Sequence, residues 1–133
     1  MSVFLDTNIV VYLIERTPGF WPNAVARIQS LLSHGERLVV SDLVRMECRV
    51  RPLRLDDPVT LAAFDGYFGS EQVDVVPITA AVCDRAAAIR ARDRFRAMDA
   101  LHLAAAIEHG CQRFLTQDLR LERFPDITIE ALS

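Results

Sequence analysis

The sequence predicts an α/β fold with a central parallel sheet of four or five strands. Short apolar runs, each about the length of a buried strand, alternate with segments of helical periodicity. Connections of helical length between neighbouring strands favour parallel pairing with right-handed crossovers. A length of 133 residues suits one domain, so we assign residues 1–133 to a single domain.

The first strand is predicted at the apolar run Ser2–Leu5, which stops at a group of helix-capping side chains. Because Asp6-Thr7-Asn8 favours a helix start, the first helix is predicted over Ile9–Glu15. Apolar residues then recur at helical spacing over Asn23–Ser33, and His34-Gly35 ends this second helix.

The next strand and two helices follow the same logic. Arg37–Val40 is an apolar run, and Ser41 caps the helix that follows it to about Arg51. Asp57-Pro58 places a capping side chain before a proline, which is typical of a helix start. That helix is predicted to end at about Gly69.

The second half of the chain repeats the alternation. Its helices are predicted to begin at Thr79 and Asp99, both of which are helix-capping residue types. The predicted elements are strands Val73–Val76, Arg113–Leu115 and Ile127–Ile129, helices Thr79–Arg92 and Asp99–His109, and a short turn or helix over Leu119–Phe124.

Composition and charge exclude several functional classes. The formal net charge of −3 gives no general attraction for nucleic acid, so such a function would need a local basic patch. No apolar run is long enough to cross a bilayer, and the N-terminal sequence lacks the basic region of a signal peptide. We therefore expect a cytoplasmic protein that makes no contact with a membrane.

Four carboxylates stand where a hydrophobic core does not explain them. Asp6 and Asp118 follow the first and fourth predicted strands, at the sheet edge where open α/β folds bind their ligands. Asp99 opens the most apolar helix at the same edge. Glu47 lies on the helix after the second strand.

Glu47 is the acid that is hardest to explain as a surface residue. It shares a helical stripe with Leu43, Met46 and Val50, which predicts a buried side chain. Isolated buried charges are avoided in proteins, so a carboxylate at this position indicates a functional site.

The other three acids have a simpler interpretation, because each of them could cap a helix. As a cluster, however, carboxylates about 6 Å apart would repel by roughly 3 kcal/mol per pair at an effective dielectric constant of about 20. Such a cluster needs protons, a facing arginine or a divalent cation. Oxygen ligands favour Mg²⁺ or Mn²⁺ over zinc.

The sequence blocks around these acids resemble those of PIN-domain nucleases. The blocks are Phe4-Leu5-Asp6-Thr7-Asn8, Ser41-x-Leu43-x-x-x-Glu47, Met98-Asp99-Ala100-Leu101-His102-Leu103-Ala104-Ala105-Ala106 and Leu115-Thr116-Gln117-Asp118. Their order, and the length of the chain, are similar to those of VapC-type toxins of bacterial toxin–antitoxin pairs.

The resemblance implies a three-layer α/β/α fold and metal-dependent cleavage of RNA. It also implies Mg²⁺ as the cofactor, with Mn²⁺ as a plausible substitute, and Asp6 and Asp99 are our choice as its direct ligands. The implied site residues are the catalytic acids Asp6, Glu47, Asp99 and Asp118, supported through hydrogen bonds by Asn8 and Thr116.

The resemblance further implies partners. These are an RNA substrate, a cognate VapB-like antitoxin that neutralises the toxin, and a second copy of the chain in a homodimer. Two other functions stay open at this point: a non-catalytic PIN-like module that binds RNA or protein, and a small phosphatase or DNA nuclease that uses the same acids.

Two features near Asp99 have both a functional and a structural interpretation. Arg92, Arg94 and Arg96 form a local basic excess that could follow an RNA backbone, or simply face solvent. His102 lies three residues after Asp99 and could approach a metal, although a histidine on such a helix is more often a packing residue.

Overall fold

Five short strands form one parallel sheet in the computed structural model, which describes residues 1–133. The strands are β1 (Ser2–Leu5), β2 (Arg37–Ser41), β3 (Val73–Val76), β4 (Arg113–Thr116) and β5 (Thr128–Ala131). Their order is β3-β2-β1-β4-β5, and every neighbouring pair is parallel. The predicted parallel sheet is therefore confirmed, with five strands.

Six helices cover the two faces of the sheet. They are α1 (Thr7–Glu15), α2 (Trp21–Ser33), α3 (Asp42–Arg54), α4 (Pro58–Phe68), α5 (Ala80–Asp93) and α6 (Ala97–Glu108). Right-handed crossovers place α1 to α4 on one face, and α5 and α6 on the other as the chain returns from β3 to β4. This is the predicted three-layer α/β/α fold. None of these helices has both the length and the apolarity needed to cross a membrane.

The core is centred on β1 and its neighbour β4. Val3, Phe4 and Leu5 are almost completely buried, as expected for a central strand covered on both faces. The ring of Phe4 stacks on that of Phe114 with centroids 5.2 Å apart. This packing fixes the carboxyl ends of β1 and β4 side by side.

The predicted capping residues begin their helices. The Ser41 hydroxyl accepts hydrogen bonds from backbone N–H groups of α3, and Asp57 and Thr79 do the same for α4 and α5. Three helices, α1, α2 and α6, begin two residues earlier than predicted. Asp6 itself caps α1, and Pro22 lies in the first turn of α2, where a missing N–H costs nothing.

The predicted buried stripe on α3 is wrong. Met46 is 46% exposed and Val50 is 42% exposed. The buried residues of this helix are instead Val44, Cys48 and Pro52. The predicted residues and the buried residues both recur at helical spacing, but they lie on different faces of α3, and the face with Val44, Cys48 and Pro52 is the buried one. An apolar strip of α3 is left facing solvent.

A network of ionic contacts joins α2 to the last strand. Arg27 donates from Nε and Nη2 to the two carboxylate oxygens of Glu130, at 2.6 and 2.8 Å. Arg113 donates to the same carboxylate at 3.3 Å and to Glu36 at 2.7 Å. Because Arg27 and Arg113 pair with Glu130, the network ties β5 to both α2 and β4.

We expect Glu130→Gln to lower the free energy of unfolding by about 1–2 kcal/mol, since two guanidinium groups lose their charged partner. The hydrogen bond from Arg27 holds the pKa of Glu130 below its usual range. Its contribution should therefore be complete above about pH 4.3 and be lost as the pH falls through the lowered pKa. Urea unfolding at several pH values, with exposed Glu122→Gln as the control, measures this.

Candidate active site

Asp6 occupies the carboxyl end of the central strand and is only 8% exposed. Its Oδ1 accepts the backbone N–H of Thr7 at 2.8 Å, which caps α1, and its Oδ2 accepts the hydroxyl of Thr116 at 2.7 Å. Burial raises the pKa of Asp6, and the hydrogen bonds and the opposing effect of His102 offset only part of that rise. The Asp6 carboxylate is thus buried without a full set of compensating charges.

Asn8 and Thr116 join the ends of β1 and β4 around Asp6. The Asn8 amide donates to Oδ2 of Asp6 and to the Thr116 hydroxyl, both at 3.4 Å, and accepts the backbone N–H of Gln117 at 3.2 Å. The Thr116 hydroxyl also accepts the backbone N–H of Asp118 at 2.9 Å. Both residues that the family resemblance names as supports of the acids therefore donate hydrogen bonds to Asp6.

Glu47 reaches the same edge from α3, with its side chain 29% exposed. Its Oε1 accepts two hydrogen bonds, from the Thr7 hydroxyl and from His102 Nε2, each at 2.6 Å. Burial by itself would raise the pKa of Glu47, but these hydrogen bonds outweigh it and lower the pKa. Glu47 is therefore held as a charged carboxylate.

Asp99 does not open its helix, which corrects the sequence prediction. Arg96 occupies the N-cap position of α6, no side chain caps that helix, and Asp99 lies in its first turn. The capping interpretation thus fails for Asp99, whereas Asp6 does cap α1. Burial raises the pKa of Asp99, and the nearby charge of Asp118 adds to the rise, while Arg120 and Arg96 oppose it.

Asp118 has a charged partner of its own. It caps the short 3-10 turn over Leu119–Arg123 by accepting the backbone N–H of Arg120 at 3.0 Å. The Arg120 guanidinium also donates to both carboxylate oxygens, from Nε at 2.9 and 3.1 Å and from Nη2. These bonds hold the pKa of Asp118 below its usual range. A facing arginine is one of the three ways in which the charge of the acidic cluster can be compensated, and Arg120 provides it for Asp118.

The four acids form two pairs rather than a closed cage. Asp6 and Glu47 act on each other electrostatically, and so do Asp99 and Asp118. His102 contacts Glu47 directly, and its proximity also opposes the rise in the pKa of Asp6 and of Asp99, so it interacts with acids of both pairs. No three acidic, histidine or cysteine side chains lie close enough together to enclose a cation.

A divalent cation still fits the chemistry of these donors. Mg²⁺ usually binds to proteins through one or two carboxylates and keeps several of its waters. Asp6 and Asp99 are the two acids whose burial raises the pKa, so they are the least compensated. At Glu47 and Asp118, by contrast, hydrogen bonds from His102, Thr7 and Arg120 outweigh burial and lower the pKa. Asp6 and Asp99 are therefore the two acids whose donor chemistry and incomplete compensation best suit a divalent cation.

The three arginines before Asp99 differ in their surroundings. Arg92 pairs with Asp93 at 2.6 Å and with Asp126 at 2.8 Å. Arg94 and Arg96 are exposed, and the charge of Arg96 acts on both Asp99 and Asp118. Arg96 thus lies beside the acids, whereas the guanidinium of Arg92 is already paired.

Comparison with protein families decides the assignment. The family model for the PIN domain matches residues 3–127 of the sequence. The chain belongs to the PIN domain family.

Two curated relatives of this PIN domain are named ribonucleases. They are VapC ribonuclease Mb1869c of Mycobacterium bovis and ribonuclease VapC13 of Mycobacterium tuberculosis. Each is 29% identical over 127 residues, which cover 94% of this chain and 96% of the relative. The similarity therefore extends over nearly the full length of both proteins.

Solved structures show the same fold. VapBC2 of Rickettsia felis bound to a promoter DNA fragment matches with a TM-score of 0.81 and 19% identity, covering both chains completely. DNA-bound VapBC of Salmonella typhimurium matches with a TM-score of 0.81 and 23% identity, over 100% of this chain and 99% of the other. VapC20 of Mycobacterium tuberculosis, a toxin that cleaves the sarcin–ricin loop, has a TM-score of 0.71 at 19% identity and covers 94% and 98%.

Sequence reasoning overlooked two contacts in the site of this PIN domain. The sequence pattern marks Thr7 only as part of a helix start, and it indicates no role for Arg120. Weak signals for both were present: Thr7 stands between two site residues, and Arg120 lies two positions after Asp118. Neither signal specifies which oxygen the side chain contacts, because that depends on α3 and on the 3-10 turn.

We expect Asp99→Asn to stabilise the protein in EDTA by about 1 kcal/mol, because it removes a partly buried charge that does not cap a helix. Since burial raises the pKa of Asp99, the gain should be complete above that raised pKa and vanish below about pH 3.9. Thermal unfolding measures it, with exposed Asp84→Asn as the matched control. A loss of stability equal to that of Asp99→Ala would instead indicate a structural role.

Proposed function

We propose that this PIN domain is a metal-dependent endoribonuclease toxin that acts in the cytoplasm and is neutralised by a VapB-like antitoxin. Its membership of the PIN family and its similarity to named VapC ribonucleases support the reaction class. The observation that carries the proposal is the presence of two incompletely compensated carboxylates, Asp6 and Asp99, at the carboxyl edge of the sheet. Acids whose pKa is raised by burial cluster at catalytic sites, and Asp6 is such an acid although it also caps α1.

The site residues divide into two roles. Asp6 and Asp99 would hold Mg²⁺, or Mn²⁺ in its place, because their charges have the weakest compensation. Glu47 is kept ionised by its two donors, so it can orient an attacking water or contact the cation through water. When bound, the cation would lower the pKa of that water and stabilise the leaving oxyanion.

Asp118 and the surrounding arginines complete the proposed reaction. Arg120 occupies both oxygens of Asp118, so a role through water suits Asp118 better than direct ligation. Arg92, Arg94 and Arg96 remain our candidates for contacting the RNA backbone. Arg96 is the best placed of the three, since its charge already acts on Asp99 and Asp118.

Protein partners are the second half of the proposal. The structural neighbours include VapBC complexes, which supports a VapB-like partner for this chain. The apolar strip of α3, formed by Met46, Val50 and Leu53, lines a surface hollow of about 360 Å³ and suits a protein contact. We further propose that the toxin is a homodimer.

Cleavage of total cellular RNA by the purified protein tests the reaction. We expect defined cleavage sites with Mg²⁺ or Mn²⁺, none in EDTA, and none with Asp99→Asn, which keeps the shape of the side chain but loses the charge. If the dissociation constant is about 1 mM, about 10 mM Mg²⁺ should stabilise the wild type by about 1.4 kcal/mol. RNA binding without cleavage would favour a non-catalytic module, and cleavage of DNA alone would favour a DNA nuclease.

The arginines can be tested through the salt dependence of RNA binding. In the Asp99→Asn background, replacing Arg92, Arg94 and Arg96 by Gln should flatten the logarithmic salt slope by about 0.7 for each phosphate that the protein no longer neutralises. Arg96→Gln should contribute most and Arg92→Gln least, because Arg92 is already paired. Fluorescence anisotropy with single-stranded RNA measures the slope. An unchanged slope in the triple variant would mean that these residues only face solvent.

A further inference from the structure

One oxygen of Glu47 carries all of its hydrogen bonds. Thr7 donates from its hydroxyl and His102 donates from Nε2, and both reach Oε1 at 2.6 Å. The other oxygen, Oε2, has no hydrogen-bonding partner within the protein. A glutamate side chain is flexible, and two donors on one oxygen restrict its orientation.

Glu47 is the only hydrogen-bonding partner of the His102 ring. The ring is 3% exposed and lies against Phe4, with ring centroids 6.2 Å apart. An ionised carboxylate can only accept hydrogen bonds, so Nε2 must be the donor to Glu47. Nδ1 is buried and has no hydrogen-bonding partner. Of the two ring nitrogens only Nε2 has a polar partner, so the contact with Glu47 is the one polar role that the structure gives this residue.

Thr7 connects Glu47 to Asp6. Its backbone N–H donates to Oδ1 of Asp6 at 2.8 Å, while its hydroxyl donates to Glu47. His102 connects Glu47 to α6, because it lies on that helix about one turn after Asp99. The two donors therefore link the first pair of acids to the helix that carries Asp99.

We propose that Thr7 and His102 are positioning residues, which hold Glu47 through Oε1 and leave Oε2 as its one acting oxygen. This inference rests on the proposed function, in which Glu47 orients a water or contacts the cation through water. Neither residue supplies a ligand itself. Their removal should loosen the site without taking away any carboxylate.

Matched variants separate positioning from packing. Thr7→Ser keeps the hydroxyl, and Thr7→Val removes it at nearly the same volume. The amide nitrogen of Gln in His102→Gln can occupy roughly the place of Nε2, whereas the shorter Asn in His102→Asn reaches only the place of Nδ1. Thermal unfolding in EDTA establishes that each variant is folded.

The primary measurement is Mn²⁺ binding to the RNA-free protein by isothermal titration calorimetry. We expect Thr7→Val and His102→Asn each to weaken Mn²⁺ affinity by about 10-fold, the usual scale for groups that orient a metal site. Thr7→Ser and His102→Gln should recover most of that loss. In cleavage assays, Thr7→Val and His102→Asn should each lower kcat by a larger factor than they raise KM for RNA.

A double-mutant cycle gives the decisive result. Adding His102→Asn to Glu47→Gln should cause no further loss of Mn²⁺ affinity, because no carboxylate remains to be positioned. Equal effects of His102→Asn and His102→Gln on Mn²⁺ affinity would overturn the inference. So would a loss of Mn²⁺ affinity on His102→Asn that is the same in the wild type and in the Glu47→Gln variant. A wild type that neither binds Mn²⁺ nor cleaves RNA would instead overturn the proposed function, and the inference with it.

Discussion

The buried carboxylate of Asp6 is the constraint on which the rest of the site depends. Placing an acid at the end of the central strand removes it from water, and only nearby donors can replace its hydration. The start of α1, directly after β1, provides the Thr7 N–H and Asn8, and the end of β4 provides Thr116. The parallel pairing of these two strands thus makes the burial tolerable, and the same donors fix where the carboxylate lies.

The two pairs of acids are stabilised by different means. Glu47 is stabilised by hydrogen bonds from a threonine and a histidine, whereas Asp118 is stabilised by an arginine two residues away. Each pair combines one acid of lowered pKa with one of raised pKa, the latter being Asp6 or Asp99. The incompletely compensated charge therefore lies on one member of each pair, Asp6 in the first and Asp99 in the second.

The sequence allowed the sheet and the starts of α3, α4 and α5 to be predicted, because those features depend on local patterns. Apolar runs specified the strands, and side chains such as Ser41 and Thr79 marked helix starts. The face that α3 buries could not be predicted in this way. Leu43, Met46 and Val50 compete with another set of residues at the same spacing, and only packing against the sheet decides between them. The placement of Asp6 and Asp118 after β1 and β4 was predictable, but Asp99 lies within the first turn of α6 rather than at its start. The contacts of Glu47 and Asp118 depend on side-chain orientation, which the sequence pattern does not specify.

The contact between β1 and β4 also determines when the site can form. Asp6 and the Thr116 hydroxyl that it accepts are 110 residues apart in the sequence. Contacts of such long sequence separation form late, because the entropy of closing the loop must be overcome first. During synthesis, β1 leaves the ribosome long before its neighbour β4 exists. A nascent chain therefore carries Asp6 without the Thr116 hydroxyl, and the acidic edge stays incomplete until β4 has emerged and paired with β1.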